Sequence, residues 1–176
     1  MDRLVAICDS HLDKSKNVTI PESTWWKNMK WAYENLRSGD NSLSDLTLVC
    51  AGGDKPVDVQ CHACIVCAAS KYFYTLLLGE VPTEEAKTKK VTLEDATESQ
   101  ILAILKYIYS KEFDVDVNDV VGVWILSNKF VLDDLQVECE SLIMKNLNKD
   151  TAADIKKVAE LLGSKRIAEM CDEKLK

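Results

Sequence analysis

The stretch that decides the fold is LSDLTLVCAGGDKPVDVQCHA, residues 43–63. Its apolar side chains alternate along residues 46–50 and again along residues 57–60, which is the period of a half-buried β-strand. Between them, Gly52-Gly53-Asp54 is typical of a turn. The sequence therefore predicts a β-hairpin, and the small apolar residues that follow it predict a change to helix.

A helix is also predicted before the hairpin. One stripe of its apolar side chains recurs every three or four residues: Trp25, Met29, Ala32 and Leu36. Trp26 and Tyr33 form a second row, and Trp31 adds another ring, so this helix is apolar on more than one side. Two interpretations are open: the rings pack on their own domain, or a second chain covers some of them, since Trp and Tyr are enriched in interface cores.

Helices dominate the chain after the hairpin. Residues 63–70 and 71–78 predict two short helices, residues 84–90 are almost wholly polar and predict a surface loop, and residues 91–93 predict a short strand. From residue 118 onward, two helical hairpins repeat one apolar register at an offset of 32 residues. Cys139 of the first hairpin is therefore equivalent to Cys171 of the second. The sequence thus predicts an α+β fold, a small β-sheet flanked by helical hairpins, with a helix pair at the carboxyl end.

Composition excludes several classes of partner. The chain has 176 residues, 22 Lys+Arg against 29 Asp+Glu, and a net charge of −7. An acidic surface repels phosphate backbones and anionic lipid, so we expect neither nucleic acid nor a membrane as partner. No apolar run reaches the roughly 20 residues that span a bilayer, and the amino terminus does not read as a secretory leader. We expect an intracellular protein of the nucleus or cytoplasm, with its seven cysteines reduced.

The strongest chemical motif is a run of three thiols, Cys61, Cys64 and Cys67, with His62 beside the first. This spacing could supply part of a metal or thiol-redox site, but a structural zinc needs four ligands and no second pair follows. On a helix, Cys64 and Cys67 would share one face as small core hydrophobes. No nucleophile elbow and no phosphate-binding loop occurs, so we expect no enzyme, no metal and no cofactor.

The order and spacing of these segments resemble the BTB/POZ domain over residues 21–147. Six stretches carry the resemblance: LSDLTLV (43–49), QCHA (60–63), ASKYF (69–73), VTL (91–93), ILKYIY (104–109) and LDDL (132–135). Within the family, the pattern is similar to the speckle-type group, which joins a MATH domain to a BTB domain. Residues 148–176 resemble the helical 3-box or the start of a BACK domain, and residues 1–20 resemble the remnant of a preceding domain.

The resemblance implies a protein-interaction module that forms a homodimer through its first helix. By position, the implied dimer interface comprises Trp25, Trp26, Met29, Tyr33 and Leu36, with Asp45 and His62 as a polar pair beside it. A buried carboxylate needs a partner, so we expect Asp45 to be hydrogen-bonded.

Many members of the family are substrate adaptors of cullin–RING ubiquitin ligases. The residues that match the cullin-binding positions are Tyr72, Phe73, Leu76, Leu77, Val81, Glu84 and Tyr109, with the carboxyl-terminal helix pair extending the contact. Glu84 stands one place later than the acidic residue of the adaptors' hydrophobic-x-Glu motif. The alternative is a dimerisation or scaffold module, such as a transcriptional co-regulator, that binds no cullin.

Overall fold

The structure is a computed structural model that describes the backbone of residues 24–38 and 43–176, and the side chains of residues 28–36 and 43–176. The predicted extension at residues 1–20 lies outside the described residues. The elements in chain order are α1 (Thr24–Ser38), β1 (Leu46–Cys50), β2 (Val57–Cys61), α2 (Ala63–Ala69), α3 (Lys71–Leu78), α4 (Glu84–Thr88), β3 (Lys90–Leu93), α5 (Glu98–Ser110), α6 (Val120–Lys129), α7 (Asp133–Asn146), α8 (Lys149–Leu162) and α9 (Lys165–Leu175).

The predicted hairpin forms two strands of a three-stranded sheet with the order β2-β1-β3, in which β1 is central. β1 pairs with β2 in antiparallel fashion and with β3 in parallel, so that Leu48 lies opposite both Val59 and Val91. These three side chains are buried on the same face of the sheet, which packs on the helices. The alternation of apolar residues therefore sets the register, because a slip of one residue would expose that whole face.

Helix α5 runs through the core and carries an apolar stripe of buried side chains. It begins with a capping box, in which the Thr97 hydroxyl accepts from the Gln100 amide and the Gln100 side chain accepts from the Thr97 amide. Ile101, Ile104 and Leu105 are buried against the sheet and the neighbouring helices. Helix α1 packs on α5, and within the described residues no helix is long and apolar enough to cross a bilayer.

The internal repeat corresponds to two successive helical hairpins, α6–α7 and α8–α9. Cys139 on α7 and Cys171 on α9 occupy equivalent positions, and both are fully buried. Asn148 caps the start of α8 through its side chain, and Gly163 ends that helix at a φ of 74°, a conformation that glycine adopts without strain. The α+β fold class is confirmed.

The predicted surface loop at residues 84–90 is wrong, because its first part is a helix. Thr83 caps helix α4 by accepting a hydrogen bond from the Ala86 amide, and Glu84 and Glu85 occupy the first turn. Acidic side chains are favourable there because the helix dipole places partial positive charge at the amino-terminal end. A polar stretch five residues long thus becomes helical through its capping residue.

Candidate protein-interaction surfaces

An open groove lies between helix α3 and the turn that follows it. We call it the α3 groove; its volume is about 500 Å³, and its lining residues are Tyr72, Thr75, Leu76, Gly79, Glu80, Val81 and Thr83. Val81 is 76% exposed at the rim, while Tyr72 and Leu76 are half-buried. An apolar surface that is open to solvent and bordered by polar side chains is typical of a protein-binding site.

Helix α3 divides the predicted cullin-binding residues between two faces. Phe73 and Leu77 are four residues apart and buried at 1% and 4% exposure, whereas Tyr72 and Leu76 have the same spacing and line the α3 groove. Ser70 fixes this orientation, because its hydroxyl donates to the Phe130 carbonyl at 2.6 Å and accepts from the Phe73 amide. The assignment of Phe73 and Leu77 to direct partner contact is therefore wrong: they support the groove from the core.

Glu84 is accessible but already has a charged neighbour. Its carboxylate lies 2.6 Å from the Lys87 ammonium one turn along α4, and its side chain is 78% exposed. An exposed pair of this kind contributes little to stability and exchanges readily for another partner. Lys87 therefore competes with a partner's donor for the Glu84 carboxylate, whose second oxygen remains accessible.

Tyr109 was also predicted to contact a cullin, and this assignment is wrong because the residue is fully buried. Its hydroxyl lies 2.7 Å from Nδ1 of His62 and accepts from the His62 backbone N–H at 3.0 Å. Burial raises the pKa of Tyr109 well above its usual range, although the hydrogen bond from His62 opposes that rise. Tyr109 is thus an internal brace between α5 and the start of α2.

Asp45 lies close to this brace. Its Oδ1 accepts a hydrogen bond of 2.7 Å from the Ala63 amide at the first turn of α2, as expected of a carboxylate that needs a partner. Its side chain is nevertheless exposed in the single chain, and His62 is half-buried. The predicted polar pair therefore lies at the surface at one end of α2, where a second chain can reach it.

Helix α1 places only part of the predicted dimer interface at the surface. Leu36 is buried, and Tyr33 is half-buried with its hydroxyl donating to the Leu102 carbonyl at 3.1 Å, so both residues pack on α5. Trp31 is 67% exposed on the opposite side of the helix. The side chains of Trp25 and Trp26 lie outside the described ones. Trp31 could have been singled out from the sequence, because it falls between the positions of the core-facing stripe.

A second groove borders α1. We call it the α2 groove; it has a volume of about 390 Å³ and is lined by Met29, Cys64, Ile65, Ala68, Ala69, Ile108 and Lys111. Met29 contributes to it from α1, and its role in a dimer interface stays a prediction. Most of the lining is apolar, so covering it with a second chain would remove apolar surface from water.

The three-thiol run does not form one site. Cys61 and Cys67 are buried, but Cys64 is exposed, so the prediction that Cys64 and Cys67 share a core face is wrong for Cys64. Burial raises the pKa of the Cys61 thiol to about 12, with the Asp45 carboxylate adding to the rise, so that thiol is a poor nucleophile. Among the residues that the structure describes, no three His, Cys, Asp or Glu side chains are grouped to hold a metal ion.

Comparison with known protein families identifies the domain. The sequence model of the BTB/POZ domain family matches residues 33–147 of this chain. The chain belongs to the BTB/POZ family. Membership of this family supports a protein-interaction module, and the comparison indicates no enzyme family.

The relatives of this BTB/POZ chain include several Kelch-like proteins. Kelch-like protein 41 of Homo sapiens is 31% identical over 129 residues, which cover 73% of this chain and 20% of that protein. Kelch-like protein 40 of Xenopus tropicalis is 30% identical over 135 residues, covering 77% of this chain and 21% of that protein. Kelch-like ECH-associated protein 1A of Danio rerio is 26% identical over 121 residues, which cover 69% of this chain and 20% of that protein.

The BTB/POZ chain therefore spans about a fifth of the length of these relatives. Because they are Kelch-like proteins, they do not support the expected similarity to the speckle-type group. The family model ends at residue 147, before the helix pair α8–α9.

Proposed function

We propose that this chain is a homodimeric adaptor domain that binds a cullin scaffold through the α3 groove and pairs with a second copy through α1. In this proposal the BTB/POZ domain occupies residues 21–147, and residues 148–176 form a 3-box-like extension. The α3 groove carries the proposal, because it presents Tyr72, Leu76 and Val81 together on an accessible surface. A partner that buries these side chains gains apolar contacts at the centre of its interface.

The carboxyl-terminal hairpin supports a larger contact surface. A groove of about 390 Å³ runs between α8 and the α6–α7 hairpin, with an apolar floor that includes Val120, Val121, Ile155 and Val158. Asp150 also lines it. An extended segment of the cullin with apolar side chains fits this floor, which is how the helix pair would lengthen the interface.

The displaced Glu84 predicts a modest affinity. Its ion pair with Lys87 competes with any hydrogen bond that the carboxylate accepts from the cullin. The structure also argues against moving the acid to position 83, because Thr83 is the cap of α4 and its loss costs about 0.5–2 kcal/mol. A variant that frees Glu84 without touching the cap, Lys87→Met, is the better probe and should strengthen binding.

The test of the α3 groove uses two matched variants of the full chain. Val81→Lys places a charge in the groove, and Val137→Lys places the same charge on α7, where Val137 is 61% exposed. Calorimetric titration with a cullin amino-terminal region should show at least a tenfold weaker Kd for Val81→Lys, which corresponds to about 1.4 kcal/mol, and no change for Val137→Lys. Equal affinities for both variants would refute the groove.

A second candidate function is a dimerisation scaffold without a cullin. The exposed Trp31 and the apolar α2 groove support it, because neither surface includes a residue of the α3 groove. A wild-type chain that forms dimers and gives no heat with the cullin would establish this alternative.

A further inference from the structure

One hydroxyl group joins the two helices that border the α3 groove. The Thr83 hydroxyl donates to the Leu76 carbonyl at 2.8 Å and accepts from the Ala86 amide at 3.0 Å. Leu76 lies in the last turn of α3 and Ala86 in the first turn of α4, where backbone groups have no partner within their own helix. Thr83 therefore satisfies one such group at each helix end with a single side chain.

The segment that connects these helices has few other attachments. At its start, the Gly79 amide donates to the Thr75 carbonyl at 3.1 Å, and a Cβ atom at Gly79 would lie only 2.3 Å from that oxygen. Residues 80–82 make no hydrogen bond to any part of the chain that the structure describes. The position of Val81, and with it the shape of the groove, depends on the Thr83 hydroxyl.

We propose that Thr83 is a latch on the α3 groove and that its phosphorylation opens the latch and weakens partner binding. A protein kinase would transfer the γ-phosphoryl group of ATP to Oγ1. An O–P bond forms there, the bond between the β- and γ-phosphates breaks, ADP leaves, and the hydroxyl proton passes to the kinase base. The phosphorylated Oγ1 has no proton left to donate to the Leu76 carbonyl. This inference rests on the α3 groove of the proposed function.

Charge around the latch adds to the loss of that hydrogen bond. A phosphate carries a charge of roughly −1.5 to −2 at neutral pH. Glu80, Glu84 and Glu85 are its sequence neighbours, and the nearby cation, Lys87, is already paired with Glu84. The new charge would face the carbonyl end of α3, the negative end of its helix dipole, and the amino-terminal end of α4, the positive end of its dipole. The phosphate is therefore repelled from α3 and attracted to α4, so the contact between the two helices opens on the α3 side.

The latch is accessible to a kinase after a local opening. Val81 and Glu84 are exposed on either side, and Thr83 itself is half-buried. Opening breaks the two hydrogen bonds of the hydroxyl but uncovers none of the buried core side chains of α3. The carboxylates that flank Thr83 fit a kinase whose substrate cleft is basic, because opposite charges steer the encounter.

The latch is tested first in the free protein, so that the result does not depend on any partner. Thr83→Val keeps the shape of the side chain and removes the hydroxyl, whereas Thr83→Ser keeps the hydroxyl. Hydrogen exchange of the Ala86 amide should be at least tenfold faster in Thr83→Val than in the wild type, and within about twofold of it in Thr83→Ser. Similar protection of Ala86 in all three proteins would overturn the latch.

The modification is tested with the full chain, ATP and a kinase selective for acidic substrates. Mass spectrometry should locate phosphate on Thr83, and the Kd for a cullin amino-terminal region should rise at least tenfold relative to wild-type chain that is treated in the same way but without ATP. Thr83→Val treated identically shows the effect of phosphate at other positions. No phosphate on Thr83, or an unchanged or tighter Kd, would overturn the proposal. Failure of the untreated wild type to bind would instead refute the cullin proposal. The hydrogen exchange of the Ala86 amide would still test the latch, because it is measured without a partner.

Discussion

The hydroxyl of Tyr109 lies 2.7 Å from Nδ1 of His62 and 3.0 Å from the backbone nitrogen of the same residue. The hydroxyl oxygen accepts from the backbone N–H, and the same hydroxyl forms a second hydrogen bond with Nδ1 of the ring. Asp45 stabilises the same turn by accepting from the Ala63 amide. The start of α2 is thus held by one buried hydroxyl and one exposed carboxylate.

Replacement of Tyr109 with Phe should destabilise the fold. The change removes the acceptor of the His62 backbone N–H and the hydrogen-bond partner of Nδ1, and an unsatisfied buried polar group costs about 1–3 kcal/mol. The matched control is Tyr74→Phe, since Tyr74 is 54% exposed. Urea unfolding should show a lower free energy of unfolding for Tyr109→Phe and a change within about 0.5 kcal/mol for Tyr74→Phe. Equal stability of the two variants would refute the brace.

Alkaline pH should destabilise the protein through its buried thiols. Burial raises the pKa of both Cys61 and Cys139 from 9.0 to about 12, with nearby acidic side chains adding to the rise. Each thiol binds its proton more tightly when folded, so its contribution is fully present below pH 9 and is lost as the pH rises toward 12. The free energy of unfolding should fall by up to about 1.4 kcal/mol per pH unit for each thiol.

Urea titrations at several values between pH 8 and pH 11 measure this slope. Cys139→Ala should make the slope shallower, although its stability at pH 8 is lower because the substitution leaves a cavity. A slope that is the same in the variant and the wild type would show that Cys139 does not contribute.

Thiol labelling should distinguish Cys64 from the other described cysteines. Cys64 is exposed, whereas Cys50, Cys61, Cys67, Cys139 and Cys171 are buried. Brief treatment with iodoacetamide at pH 8 should modify Cys64 in the folded chain and leave the buried thiols unmodified until urea is added. Peptide mass spectrometry gives the extent at each position. Rapid labelling of Cys61 or Cys67 would contradict the burial of the thiol run.

Val131 has a backbone conformation that is unfavourable for its side chain. Its φ is 57°, a left-handed conformation that is costly for a β-branched residue, and the Leu132 amide donates to the Ser127 carbonyl to end α6. Val131→Gly should therefore raise the free energy of unfolding by about 1 kcal/mol. The same substitution at Val137, within helix α7, should lower it by about 1 kcal/mol. Urea midpoints that shift in the same direction for both would contradict the strain at Val131.

Elements with local signals could be predicted from the sequence. The alternation of apolar and polar side chains around Leu48 and Val59 predicts the hairpin, because successive residues of a strand face opposite sides of the sheet. The cap at Thr97 is likewise set by Gln100 three positions later. The second hairpin of helices could be predicted because it repeats the apolar register of the first. These features depend on spacing within one element or between neighbours in sequence.

The errors concern which way a side chain faces. Tyr109 and Phe73 were assigned to a partner, but the distant residues His62 and Phe130 determine their burial, and their positions cannot be read from local spacing. The helix at α4 was missed because its signal is a single threonine before two glutamates. Tyr72 and Leu76 line the α3 groove, and their role in binding a cullin stays a prediction, but only the structure distinguishes the residues that line the groove from those buried beneath it.

The most direct test of the adaptor proposal is the mass of the complex by light scattering during gel filtration. The chain of 19.8 kDa is mixed with an equimolar cullin amino-terminal region. The proposal predicts a single peak that contains two copies of each protein. A peak of twice the chain mass that elutes apart from the cullin would contradict the adaptor role and leave a dimeric scaffold, and a monomer would contradict both.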